Sequence, residues 1–428
     1  MKTFRPYQPD QMLLLPPSIE EWLPEHHLAR FVSEVVDELD LSAIEDTYSE
    51  ERGYPPYHPR MMTKVLVYGY CTGTYSSRRL AEKLLDSVAY RYLAAGNQPD
   101  FRTLSDFRKV HGVALSGLFE QILKLCQRSG LVKLGRVAVD GTKIKANASK
   151  HKAMSYVRMV EKEAQLKREV REIMERAEAI DREEDELYGA DRSGNELPAE
   201  LARRESRLKK IREAKAALEA EARERAEGKD AKQARPPDKA QRNFTDPDSK
   251  IQKTGDGFIQ GYNAQIAVDG HAQVIVAQHV TPSAPDVEQL KPAVASIRRV
   301  LKKKPKQLIA DAGYWSEANV VHLEQQKIEA FVATGRMKHG KGETPAPRGR
   351  APAHLTVKER MQRRLRTKSG HKVYARRKVI AEPPFGQIKQ ARGFRQFLRR
   401  GLKRVQEEWA LVCAAHNLLK MYTAQVRT

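Results

Sequence analysis

Cysteine is nearly absent: three in 428 residues, Cys71, Cys126 and Cys413, far apart and set in apolar helical patterns. That spacing excludes a disulfide scaffold and a thiolate metal site, and fits reduced core residues of a cytosolic protein. Long apolar runs are missing as well. None approaches the roughly 20 residues of a membrane span, and Met12–Leu15 is far too short for a signal-peptide core. No GxxxxGK[ST] loop or strand-linked GxGxxG is present, which argues against nucleotide hydrolysis. No Ser/Cys–His motif sits at a strand-to-helix turn, which argues against covalent nucleophile chemistry. Acids are scarce in one region: between Arg336 and Arg404 only Glu343, Glu359 and Glu382 stand against 22 Lys/Arg.

What is present is positive charge. The net charge is +22, and that one segment carries +19 of it. Charge so concentrated is an electrostatic footprint for nucleic acid, and without a spanning segment an anionic membrane is the weaker alternative. The length suffices for two or three domains and a substantial core.

Residues 1–130 read as a helical domain. Ala29–Leu39, Met61–Tyr70, Arg79–Leu85 and Leu115–Leu125 carry apolar residues at three- and four-residue spacing, separated by turns such as Gly53–Pro59. Thr103 with Asp106 reads as a capped helix start before Phe107 and Val110. Arg78 and Arg79, at the start of another helix, would face either a phosphate backbone or plain solvent. At Arg136 the pattern turns to a strand, RVAVDGTKIKA. Residues 151–244 form a charged insertion and linker. In it Leu166, Val170, Ile173, Ala177 and Ile180 make one apolar stripe and Leu208, Ile211, Leu218 and Ala222 another, with a Tyr188–Pro198 turn between. This predicts an antiparallel helical hairpin, paired with itself or with another subunit. Ala226–Phe244 reads as linker.

Gly257–Thr281 predicts a strand hairpin about a two-residue Asp269-Gly270 turn, which makes Asp269 a turn residue and not a site residue. Then follow a helix (Asp286–Val300), a short strand ending at Asp311, a helix (Ser316–Gln326), a strand (Glu329–Thr334), a mobile Pro/Gly/Arg-rich stretch to Ala353, a helix beginning at Glu382, and a last helix (Val405–Met421). Without the insertion, this order predicts a mixed sheet with a helix crossover, in which the strands bearing Asp140 and Asp311 are neighbours.

Asp140 and Asp311 are expected at the C-terminal ends of apolar strands. Glu382 is expected at a helix start with Pro383 in the first turn, and Lys389 two turns further along. Singly, each acid reads as structural: Asp140-Gly141 as a hairpin turn, Glu382 as a surface ion pair. Together they would repel unless a cation sat among them. Oxygen-only ligands suit Mg²⁺ or Mn²⁺, and two such ions roughly 3.5–4 Å apart support phosphodiester displacement. His416, on the apolar stripe of the last helix, reads as a packing histidine.

Three blocks, VAVDGTKIKA, LIADAGYWS and YARRKVIAEPPFGQIKQARGFR, resemble those of the bacterial insertion-sequence transposases with a DDE carboxylate triad. The resemblance implies an α+β or α/β mixed fold: an RNase H-like mixed sheet flanked by helices (131–150 and 245–428), a helical N-terminal domain, and a helical-hairpin insertion after the first strand. It implies that Asp140, Asp311 and Glu382 bind two Mg²⁺ ions (Mn²⁺ as a substitute). Water then cuts the element's terminal inverted repeats in double-stranded DNA, and the freed 3′-hydroxyls attack target DNA. The family's Tyr-Arg-Glu-Lys signature maps onto Tyr374, Arg377, Glu382 and Lys389. The Arg-to-Glu interval is one residue longer than the family's, so Arg376 and Arg377 both stand as the phosphate-binding arginine, with Arg392 further along the same segment. Trp315 is a candidate for stacking on a displaced base. A homo-oligomer, a dimer on DNA, is implied. The rival readings are a DNA-binding regulator without catalysis and a nuclease without strand transfer.

Overall fold

A computed structural model describes residues 18–48, 55–188, 199–226, 234–255, 257–335, 346–349, 351–352 and 354–426. Met12–Leu15, Gly53, most of the Tyr188–Pro198 turn, residues 227–233 of the linker and most of the stretch between Arg336 and Ala353 lie outside the described residues.

The N-terminal part is helical: α1 (Leu28–Glu38), α2 (Ser42–Glu45), α3 (Pro59–Thr72), α4 (Ser77–Asp86), α5 (Val88–Leu93), α6 (Phe101–Val110) and α7 (Gly112–Arg128). Proline opens α3, where its missing N–H costs nothing, and Gly73 ends it with φ 78°, a left-handed conformation that glycine adopts without strain. The expected helix start at Thr103 is corrected: Asp100 caps α6 by accepting from Thr103 N at 2.7 Å, and Thr103 lies inside the first turn. An aspartate three residues upstream is simply the better acceptor for the free N–H groups of that turn.

The sheet strands are β1 (Arg136–Lys145), β4 (Lys250–Thr254), β5 (Gly257–Asp269), β6 (Ile275–Thr281), β7 (Gln307–Ala310) and β8 (Glu329–Val332), while β2 (Ala153–Ser155) and β3 (Gln241–Asn243) form a separate ribbon. The main order is β4-β5-β1-β7-β8, with β6 also paired to β5. β1 is antiparallel to β5 and parallel to β7, and β7 is parallel to β8. This is the mixed sheet anticipated from the order of elements, and it agrees with the RNase H-like frame that the resemblance implied. Two expectations change. The β5–β6 connection is Gly270–Val274, not two residues. Part of the linker is ordered as β3. Asp269, expected in the turn, is the last residue of β5: fully buried, it accepts from the N–H groups of Leu134 and His271.

The insertion forms α8 (Tyr156–Tyr188) and α9 (Ala199–Arg225), which pack on each other. Tyr156, Met159 and Leu166 meet Leu208, Ile211, Ala214 and Leu218 in a small core of their own, so among the described residues the hairpin pairs with itself; the side chains of Ala177 and Ile180, expected on the first stripe, lie outside the described residues. α10 (Leu290–Leu301) and α11 (Glu317–Gln325) flank the sheet.

α12 (Val357–Arg366) leads by a sharp corner at Thr367 into α13 (Lys368–Gly386), which lies across β1, β5, β7 and β8. Glu382 is therefore near the end of a long helix and not at its start. Pro383 and Pro384 remove the N–H groups that would bond the carbonyls of Val379 and Ile380. The helix survives because Gln273 Nε2, from the β5–β6 connection, donates to the Val379 carbonyl at 2.9 Å. Beyond the prolines the helix widens into a π turn at Gln387–Ala391. The last helix, α14 (Leu402–Val426), runs between the N-terminal helices and the sheet, and one continuous core joins them, with Trp409 fully buried in it. Among the described residues no helix is long and apolar enough to cross a membrane.

Candidate active site

The parallel ladder of β1 with β7 pairs Arg136 with Gln307 and ends at Val139 with Ala310. Asp140, still on β1, and Asp311, the first residue after β7, come next, so the register sets them side by side. Asp140 was expected to end its strand. Instead β1 continues through Lys145, because β5 goes on pairing with it antiparallel, Asp140 opposite Ile266. Nor is Asp140-Gly141 a turn. Gly141 is there for packing: a Cβ would stand 2.2 Å from Gln265 Nε2. After Asp311 the chain makes a single 3₁₀ turn, Ala312–Tyr314, in which Asp311 Oδ1 accepts from Gly313 N at 2.8 Å.

α13 supplies the third wall. Arg377 Nη1 donates to Asp140 Oδ2 at 3.2 Å, and its Nη2 lies 3.9 Å from Glu382 Oε1. Arg377 is thus the arginine that joins the acids. Arg376 is exposed on another face of the helix, where it lines a cavity with Gly270, Gln273 and Lys420. Tyr374 is half-buried beside Arg377. Lys389 donates from Nζ to Thr142 Oγ1 and to the Lys143 carbonyl, two and three residues past Asp140. Trp315 directly follows the Asp311 turn and packs partly buried against the core.

The acids differ in environment. Burial pushes the Asp140 carboxyl up to about 6, against the pull of the Arg377 guanidinium, with Asp311 and Asp286 adding smaller upward pushes. Glu382 is 57% exposed. Among the described residues no three acidic, histidine or cysteine side chains stand close enough to share a metal ion. The donors are nonetheless all carboxylate oxygens, and Asp140 is a largely buried carboxylate with Arg377 as its one close cation among the described residues. That chemistry fits a hard divalent cation.

A carboxyl whose folded pKa lies above its unfolded value binds more protons when folded. Its contribution to stability therefore falls as pH rises from about 4 to about 6. In EDTA, Asp140→Asn is expected to melt above wild type at pH 7.5, with the difference shrinking toward pH 5. Melting curves at the two pH values check this; a variant less stable than wild type at pH 7.5 would contradict it.

Two expected DNA contacts fare differently. Arg78 and Arg79 are exposed on α4, Arg78 lying over the Phe101 ring at 5.3 Å. Arg392 is corrected: it is only 8% exposed, and its Nη1 faces the carbonyls of Tyr70 and Val412 at 3.4 and 3.3 Å. The π turn rotates it inward, between α3 and α14, where it cannot reach a phosphate. Arg392→Ala is accordingly expected to cost about 2 kcal/mol of stability through lost packing and to leave DNA affinity unchanged. Arg376→Ala is expected to weaken binding and leave melting unchanged. Parallel melting and binding measurements separate them, and a weakened but normally melting Arg392→Ala protein would refute the assignment.

The sequence reading missed Asp286, Asn263, Gln265 and Lys143, which surround Asp140 and Asp311. A weak signal existed. Asn263 and Gln265 are two amides on one face of an otherwise apolar strand, and buried amides require partners.

Residues 17–110 match the family model described as Transposase domain (DUF772), and residues 225–418 match that described as Transposase DDE domain. The first match spans α1 to α6. The second takes in Asp311 and Glu382 but begins well after β1, so it does not cover Asp140. No curated protein and no solved structure matches the chain.

Proposed function

We propose that this chain, which belongs to the DDE transposases of insertion sequences, cuts the terminal inverted repeats of its element and joins the freed 3′-hydroxyls to target DNA. The observation that carries this reading is the β1–β7 register, which sets Asp140 beside Asp311, with Arg377 reaching from Asp140 toward Glu382.

Asp140, Asp311 and Glu382 would hold two Mg²⁺ ions, or Mn²⁺, once Glu382 turns in from solvent. Bound there, the ions would polarise the scissile phosphodiester and the attacking hydroxyl. Arg377, which reaches Asp140 and Glu382, has a bidentate fork that would suit a backbone phosphate next to the cut. Lys389, held at the edge of β1, offers a second phosphate a point charge. Tyr374 flanks Arg377. Trp315, at the Asp311 turn, has a flat face for a base displaced from the duplex. Arg78, Arg79 and Arg376 lie exposed and would bind backbone outside the cut site. Because two ends must be brought together, the working form is a homo-oligomer, a dimer on DNA.

The test uses purified protein and labelled linear DNA bearing the ends of the element that flanks the gene, with Mg²⁺ or with EDTA. Metal-dependent cuts at the ends, followed by joined products, support the proposal. Cutting without joining identifies a nuclease, and tight binding with no cutting under any metal identifies a regulator.

A further inference from the structure

Asp286 is an acid of this site that no sequence block announces. It occupies the N-cap position of the turn Val287–Gln289, yet its side chain makes no capping bond. It turns to the sheet instead. Its Oδ1 accepts from Asn263 Nδ2 at 2.7 Å and from Gln265 Nε2 at 2.8 Å, and Lys143 Nζ lies 3.7 Å away. Asn263 and Gln265 are buried on β5, paired with Lys143 and Gly141 of the Asp140 strand. Gln265 Oε1 in turn accepts from the Tyr314 hydroxyl, which belongs to the Asp311 turn.

A second set of ties runs in parallel. Asn319, also buried, donates to the carbonyls of Val287 at 2.7 Å and Tyr314 at 2.9 Å. The two turns close around Gly313, where a Cβ would stand 3.2 Å from Asp286 Oδ2 and 3.1 Å from Asp311 Oδ1. Two buried amides require acceptors, and one charged oxygen serves both with charge-assisted bonds. An apolar cluster would fill the same space with no need for this polar satisfaction. What the network adds is direction, because fully satisfied polar networks fix their members relative to one another.

We propose that Asp286 is a positioning residue of the cutting site. Its Oδ1 clamps the Asn263 and Gln265 amides and, through Gln265 and Tyr314, sets the Asp311 turn against Asp140. The inference rests on the transposase reading of those two acids.

The test compares full-length wild type with Asp286→Ala, Asp286→Asn, Tyr314→Phe and the Asp286→Ala/Tyr314→Phe double variant, on end-bearing DNA with saturating Mg²⁺. DNA affinity and melting temperature are measured on each. Asp286→Ala is expected to slow end cleavage about 100-fold with DNA affinity unchanged, the scale of a small misplacement of reacting groups. Asp286→Asn keeps an acceptor oxygen and is expected to recover most of the rate, and the double variant is expected to cut no more slowly than Asp286→Ala, since both changes break one chain of bonds. Should Asp286→Ala not fold, Tyr314→Phe decides, with a loss of about tenfold expected for one broken link. Wild-type rates in Asp286→Ala or Tyr314→Phe, an Asn variant as slow as the Ala variant, or multiplying losses would each overturn the proposal. Those results leave the transposase reading intact so long as wild type cuts and Asp140→Asn does not. Absence of cutting by wild type sinks both.

Discussion

Asp140→Asn is expected to lower the rate of end cleavage by at least about 1,000-fold, since a metal-held charge supplies several kcal/mol to phosphodiester chemistry and each 1.4 kcal/mol is a factor of ten. Asparagine keeps the size of the side chain and one acceptor oxygen, so the loss isolates the negative charge. Asp311→Asn and Glu382→Gln are expected to fall as far, because a hard divalent ion is held by anionic oxygens and neutral amides replace them poorly. Misfolding is excluded within the same experiment. Burial already works against ionised Asp140, so the metal-free Asn variant should be the more stable protein at neutral pH while being the inactive one. DNA affinity, measured alongside, should survive in all three. Cleavage time courses with labelled ends give the rates. A variant within tenfold of wild type would remove its residue from the site.

Raising salt from about 50 to about 200 mM is expected to weaken DNA binding by about 1,000-fold or more, the fall that accompanies six or more phosphate contacts. The surplus of 19 positive charges between Arg336 and Arg404 supplies more than enough cations for such a number. Not all of them count: Arg392 is buried, and Arg399 is paired with Glu407 at 2.6 Å. Exposed Arg376, Arg78 and Arg79 should each contribute about one unit to the slope of log K against log salt, so alanine at any one lowers the slope by about one. Fluorescence anisotropy across a salt series measures it. A nearly flat dependence would mean that the basic segment faces something other than a phosphate backbone.

Much of the sheet was legible because its signals are local. The apolar runs ending at Asp140 and Asp311, the β5–β6 hairpin and the heptad stripes of the insertion are patterns a few residues long, and the neighbouring placement of the two aspartates follows from the order of elements. What was not legible depends on partners distant in sequence. Pro383 signals a helix start on local grounds, and α13 runs through it because Gln273, from the β5–β6 connection, takes up a freed carbonyl. Arg392 looks like any other arginine of a basic segment until the π turn points it between α3 and α14. Asp286 looks like an ordinary helix cap, and only the fold turns it toward Asn263 and Gln265. The two candidate arginines were separable only in three dimensions, where Arg377 meets Asp140 and Arg376 faces another way.

The central claim is that Asp140, Asp311 and Glu382 gather around divalent ions, and iron-directed backbone cleavage tests it most directly. Fe²⁺ is bound in place of Mg²⁺ on the protein–DNA complex, peroxide and ascorbate are added, and the protein fragments are mapped. The account predicts breaks next to residues 140, 311 and 382, suppressed by excess Mg²⁺ and absent from Asp140→Asn. Breaks confined to other segments, or breaks indifferent to Mg²⁺, would contradict it.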